Sequence, residues 1–189
     1  MTVRPARRSD IPAIEALVEA SVRTLGGRSY SARQVESSLR HLFGVDTQMI
    51  ADGTYLVAEE TGRVVGAGGW SRRRTPFGGD RAGAVRDAGL RDPAADPAVL
   101  RAFYVHPEWM RRGLGRRLVE AAERAAWDAG FRRAELVSTL SGLALYRACG
   151  YAESEPVEIA LADGVTIEAV RMEKALAAPA SRAAGGRAG

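Results

Sequence analysis

Between Val99 and Val119 the chain reads V-L-R-A-F-Y-V-H-P-E-W-M-R-R-G-L-G-R-R-L-V. Gly113 and Gly115, one residue apart, stand among Arg111, Arg112 and Arg116 where a helix opens toward Leu118, Val119 and Ala122. The first turn of a helix leaves several N–H groups unpaired at the positive end of its dipole. Glycines there let a ligand come close to the backbone, and the arginines add mobile positive charge. The chemistry this suits is the binding of a phosphate or pyrophosphate. A nucleoside-triphosphate loop is excluded, because no Lys-Ser or Lys-Thr follows the glycines. A dinucleotide fingerprint is incomplete, with Leu118 where a third small residue is wanted.

Two segments carry a family resemblance. Val105-His106-Pro107-Glu108 followed by Gly113-Leu114-Gly115 resembles the coenzyme-A-binding motif of the GNAT superfamily of acyl-CoA-dependent N-acyltransferases. Met110 stands where that motif usually has Gln or Arg, a tolerable departure for a motif that works largely through backbone amides. Ser141 to Tyr151 is similar to a second GNAT segment, with Tyr146, Gly150 and Tyr151 on its spacing and Ser141 replacing the common Asn.

The resemblance implies an α/β fold (α+β, mixed sheet). Its central sheet is mostly antiparallel, with one parallel pair splayed at the cofactor site and about four flanking helices. It implies acetyl-CoA as cosubstrate and no metal. The pyrophosphate would lie against Arg111, Arg112, Gly113, Leu114, Gly115 and Arg116, with Ser141 near the pantetheine arm. That arm would run along the backbone of Phe103, Tyr104 and Val105, where a free N–H would stabilise the oxyanion. Direct attack by a primary amine needs no enzyme nucleophile, and Tyr146 is the expected general acid for the leaving thiolate. By position in the family, Leu25 to Tyr30 would wall the acceptor site. The acceptor would be a small-molecule or peptide amine, and a homodimer is allowed by the family although no residue points to one.

Other candidates are less determined. Glu59, Glu60, Tyr104 and Glu135 could each serve as the base. Tyr30 is a candidate substrate contact. Arg101 alternates with Phe103 and Val105, so it either faces the acceptor cleft or sits in an ion pair. Trp70 either lines the acceptor pocket or fills the core. His106, before a proline, and Cys149, at a helix end, read as structural.

These residues must be positioned by ordinary elements of a globular chain. With 189 residues, 46% hydrophobic and 26% charged, one domain over 1–174 is expected, with a disordered tail over 175–189. No apolar run suggests a membrane span or a signal peptide, and the single cysteine suits a reducing compartment, so the expected location is cytoplasmic. The 27 basic and 23 acidic residues leave a net charge of +4, mild enough to disfavour a nucleic-acid partner. A non-catalytic acyl-CoA-binding regulatory domain is the main alternative to an enzyme, and a basic nucleic-acid-binding domain a weaker one.

Taken in order, Val3 to Ala6 reads as a short strand. A helix capped near Ser9 or Asp10 carries Ile14, Leu17, Val18, Val22 and Leu25, and Gly26-Gly27 stops it. Ser31 and Gln34 have capping-box spacing for a second helix. Tyr55–Glu59 and Val64–Trp70 form a hairpin, and Val99–Val105 and Arg133–Ser138 flank the cofactor helix as a parallel pair. Val157–Leu161 and Val165–Met172 close the pattern as a second hairpin. Between Ser71 and Pro97 lies a Gly-, Arg- and Pro-rich connection, long enough to be functional.

Overall fold

The computed structural model describes residues 1–83 and 86–178. Seven strands form one sheet in the order β1-β2-β3-β4-β5-β7-β6. They are β1 (Thr2–Pro5), β2 (Tyr55–Glu60), β3 (Arg63–Ser71), β4 (Ala98–Val105), β5 (Arg133–Thr139), β6 (Ala152–Ala160) and β7 (Thr166–Ala175). Among the described residues only β4 and β5 pair in parallel. Five α-helices flank the sheet: α1 (Ile11–Ser21), α2 (Ala32–His41), α3 (Thr47–Ala51), α4 (Leu114–Asp128) and α5 (Leu143–Ala148). The expected mixed, mostly antiparallel sheet with one splayed parallel pair is therefore what the chain forms.

The helices follow their sequence signals. In α2, the Ser31 side chain accepts from the Gln34 amide while Gln34 reaches back to the Ser31 amide, the reciprocal cap expected from the spacing. After α1 the backbone widens into a π-helical turn over Val22–Gly26. The apolar face of α4 buries Leu114, Leu118, Val119, Ala122 and Ala126 against β3 and β4. The small helix α3 was not expected. It is one turn long, too short to show a period, and it is held by Asp46, whose carboxylate accepts from the Met49 amide at 2.9 Å.

Three boundaries moved. Strand β6 begins at Ala152 rather than Val157. Its Glu153–Pro156 stretch is a polar, exposed edge that pairing with β7, not hydrophobic alternation, draws into the sheet. Strand β7 runs to Ala175, and Leu176 is buried with its amide bonded to the Arg132 carbonyl, so the expected tail cannot start at 175. From residue 179 onward that tail lies outside the described residues. The 71–97 connection is anchored, with Arg73 paired to Asp52 at 2.6 Å and Arg91 to Glu135 at 2.6 Å. Within Ser71-Arg72-Arg73-Arg74 it is Arg73 that is tied down, while Arg72 and Arg74 are exposed.

Candidate active site

The site opens where β4 and β5 part. They are paired at Ala98–Ala134 and Val99–Glu135 and then diverge. On its other side β4 is bulged: Tyr104 faces Ala67 and Arg101 faces Gly69, so β4 spends two residues where β3 spends one. Ala102 carries the bulge with φ +60°, a conformation that costs a non-glycine residue about 1 kcal/mol or more. Two neighbours hold it there. The Tyr55 hydroxyl, fully buried, donates to the Ala102 carbonyl at 3.3 Å. Opposite, the Phe103 ring fills the place of a side chain at residue 68, where a Cβ would lie 2.3 Å from it.

The gap so formed is a cleft of about 790 Å³. One side is lined by Leu100 to Val105, the start of α4, and Thr139 to Gly142 with α5. Gly113 precedes α4 with φ +77°, and a Cβ placed on it meets nothing within 4 Å among the described residues. The backbone leading into the helix is thus open to a ligand, with the first-turn amides of Leu114, Gly115 and Arg116 beside it. Such a cradle fits a diphosphate. Gly115 has a different reason to be small: its Cβ would come within 3.1 Å of Leu145, so it sets the packing of α4 on α5. Arg111 and Arg116 line the cleft and Arg112 does not. Met110 lines it too, beside Trp109, whose indole N–H donates to Glu60.

Tyr146 projects from α5 into this cleft, 9% exposed, its ring edge-on to Phe103 and Tyr151 at 6.2 and 6.0 Å. Burial pushes its phenol well above the usual value, and no hydrogen bond ties it up among the described residues. It is therefore a protonated donor with a free hydroxyl. Ser141 also lines the cleft, its hydroxyl 3.1 Å from that of Thr139.

On the other side, the π-helical turn after α1, α2 and the residues after it, the 71–97 connection and β6–β7 contribute apolar groups, among them Leu25, Phe43, Phe77, Ile159 and Ile167. Tyr30 is here, but its hydroxyl is occupied. It donates to the Glu168 carbonyl at 2.5 Å and accepts from the Leu140 amide at 2.9 Å, tying the α1–α2 segment to the ends of β5 and β7.

Several sequence expectations are corrected. Trp70 does not line the cleft: it is 6% exposed in the core, edge-on to Phe131 at 5.7 Å. Arg101 lines the cleft yet is turned inward, ion-paired to the fully buried Asp46 at 2.8 Å and donating to the Thr75 carbonyl at 2.8 Å. The pairing is charge against charge rather than a well-aligned hydrogen bond, and burial lowers the guanidinium's pKa. None of the carboxylate bases reaches the site. Glu59 pairs with Arg4 at the β1 edge, Glu60 holds Trp109, and Glu135 pairs with Arg91 and Arg171. Only Tyr104 of those candidates lines the cleft, with burial holding its phenol up. Tyr55, Phe43, Phe77 and Ile167 were missed, because an isolated aromatic or aliphatic residue carries no local signal of what it will face. Among the described residues no group of three His, Cys, Asp or Glu side chains could hold a metal ion, and no helix is long and apolar enough to cross a membrane.

A mixed sheet splayed over a helix start, with a tyrosine in the gap, is the architecture of N-acetyltransferases, and solved structures agree. The chain superimposes on a GCN5-related N-acetyltransferase from Rhodopseudomonas palustris with a TM-score of 0.68 at 22% identity, covering 93% of this chain and 95% of that one. It superimposes on PaiA N-acetyltransferase from Thermoplasma acidophilum, solved with coenzyme A, with a TM-score of 0.62 at 15% identity over 92% and 98% of the two chains. For YncA of Salmonella typhimurium, a putative acetyltransferase solved with acetyl-CoA, the TM-score is 0.61 at 19% identity over 97% and 98%. At these identities the likeness speaks for the fold. No match was found among curated protein sequences. The family is given by sequence: residues 21–151 match the model of the acetyltransferase (GNAT) family, and the chain belongs to it.

Proposed function

We propose that this protein is an N-acetyltransferase that moves an acetyl group from acetyl-CoA to a primary amine by direct attack, with Tyr146 as general acid. The observation that carries the reading is a juxtaposition: the open backbone at Gly113 and the free Tyr146 hydroxyl border one cleft. Acetyl-CoA would supply an activated carbonyl. Residues 113–116, with Arg111 and Arg116, would hold its phosphates, and the β4 backbone at Phe103 to Val105 would orient its arm. The amine lone pair forms the C–N bond and the C–S bond breaks, the sulfur keeping the electron pair. Tyr146 delivers a proton to that sulfur and recovers one from the acylated nitrogen through water. Its raised pKa keeps it a donor across the neutral range. Residues 1–174 would act as one catalytic domain, and the half-buried single cysteine supports a reducing, cytoplasmic setting.

A second reading, a non-catalytic acyl-CoA-binding regulatory domain, is favoured by one observation: no carboxylate lines the cleft among the described residues. Two measurements decide. Calorimetric titration with acetyl-CoA is expected to give a saturable heat, and none at millimolar ligand would sink both readings. Release of free thiol in the presence of a panel of amines is expected of the enzyme, and binding without release would leave the regulatory domain.

A further inference from the structure

We infer that the acceptor is a hydrophobic α-amine, meaning an amine on a carbon that bears both a carbonyl and an apolar side chain, and not a polyamine, an aminoglycoside or a lysine side chain. The inference rests on the transferase reading for its chemistry, but it comes from the other half of the cleft.

Three observations converge. The first is what lines that half: Leu25, Phe43, Phe77, Ile159 and Ile167, most of which also pack into one apolar cluster under β6 and β7. A surface of this kind binds an apolar body by excluding water from both.

The second is charge. The charged side chains on the cleft wall are Arg28, Arg101, Arg111 and Arg116, and no Asp or Glu accompanies them among the described residues. Residues 84–85 and 179–189 contain no Asp or Glu either. Arg101 is neutralised from behind by Asp46, and Arg111 and Arg116 belong to the phosphate end. An ammonium entering the acceptor half would therefore lose water without meeting a counter-charge, at a cost of several kcal/mol on the order expected for an unpaired buried ion. A polyamine or aminoglycoside would meet that cost at each further ammonium.

The third is the lack of a base. The Tyr30 hydroxyl is already engaged on both sides, and burial keeps Tyr104 and Tyr146 protonated. The amine must then arrive neutral. An α-amine of pKa ~7.8 is neutral roughly 300 times more often at neutral pH than a lysine-type amine of pKa ~10.4. Arg28 completes the match. It is exposed at the rim and is in none of the ion pairs among the described residues, so it can donate to the carbonyl or carboxylate beside such an amine.

The test is thiol release at neutral pH under saturating acetyl-CoA, with L-phenylalaninamide, a tripeptide beginning with Phe, spermidine, kanamycin and Nα-acetyl-lysine as acceptors. The expected kcat/KM for phenylalaninamide or the tripeptide exceeds each of the other three by about 10-fold or more, and whichever of the two leads tells a small substrate from a chain end. Spermidine, kanamycin or Nα-acetyl-lysine within about 3-fold of the better α-amine would overturn the inference. Arg28→Ala should raise KM for the α-amine about 5- to 10-fold with KM for acetyl-CoA unchanged, and an unaltered amine KM removes the carbonyl contact. Should no amine release thiol, the transferase reading fails on its own terms. Calorimetry of the same ligands on the CoA-saturated protein then decides the acceptor class. Heat from phenylalaninamide with none from spermidine upholds it, and the reverse, or no heat from either, overturns it.

Discussion

The half of the cleft next to α4 is made of backbone, whereas the half under α1, α2 and β7 is made of side chains. At the first, Gly113 at φ +77° leaves the helix-opening amides uncovered, and what would be held there is charge spread over phosphate oxygens. At the second, Phe43, Phe77 and Ile167 present apolar side chains, with Ile167 paired to Ile159 in the β6–β7 ladder. The difference teaches how selectivity is divided. Backbone donors are indifferent to most substitutions, so a phosphate grip can persist while the side-chain half is rebuilt for another amine. Tyr146 stands at the seam, its ring edge-on to Phe103 of β4 and its side chain on the wall of the cleft.

The largest effect that would sharpen this comparison is expected at the seam. Tyr146→Phe should lower kcat about 10- to 1000-fold with CoA affinity little changed. Turnover equal to the native enzyme would remove the acid from its role.

Next come the two glycines, which the structure sets apart. Gly113→Val should weaken CoA about 10-fold or more by calorimetry, since a β-branched residue resists a positive φ and its side chain enters the open cradle. Gly115→Val should instead lower stability by about 1–3 kcal/mol in denaturant unfolding, because it drives into Leu145. If Gly113→Val keeps its grip on CoA, the backbone half is wrongly described.

A smaller effect is expected behind the strand. Tyr55→Phe removes the hydroxyl that holds the Ala102 carbonyl, at about 1 kcal/mol of stability. It should lower kcat a few-fold, roughly 3-fold, while leaving CoA affinity intact, because the bulge orients the arm without gripping the phosphates. A loss of CoA affinity equal to the loss of kcat would merge the two halves.

The smallest concerns acid. The hydrogen-bonded Arg73 guanidinium holds the Asp52 carboxyl below its usual pKa, against the opposing effect of burial. A depressed carboxylate pKa adds stability that is complete above the unfolded value, near 4, and is lost as pH falls through the folded value. Arg73 sits at the root of the segment that brings Phe77 to the acceptor half. Asp52→Asn should therefore flatten the acid limb of a thermal-melt series by about 1 kcal/mol or less. An unchanged acid limb in that variant would separate the pair from the loop.

Much of the fold was readable along the chain. The α2 cap, the β2–β3 hairpin, the crossover from β4 through α4 to β5 and the β6–β7 hairpin all rest on residues within a few positions of one another. The glycine at the opening of α4 and Tyr146 on its motif could be picked out for the same reason. What the chain left open, or pointed to wrongly, shares the opposite cause. Trp70 and Arg101 sit on adjacent strands, and their fates were set by Phe131 and Asp46, residues 61 and 55 positions away by their numbers. Glu59, Glu60 and Glu135 look like candidate bases until Arg4, Trp109, Arg91 and Arg171 are brought against them.

By itself, then, the order of residues determined that this chain would form a mixed sheet with a glycine-opened helix after β4 and a tyrosine on α5, because those features depend on local backbone preference and short-range periodicity. Only the folded arrangement decided that β4 would bulge at Ala102, that Asp46 would claim Arg101, and that the far half of the cleft would be apolar, with no carboxylate on its wall among the described residues. Each of those outcomes is a contact between groups far apart in the chain, and burial and charge pairing act on distances in space, which no local pattern encodes.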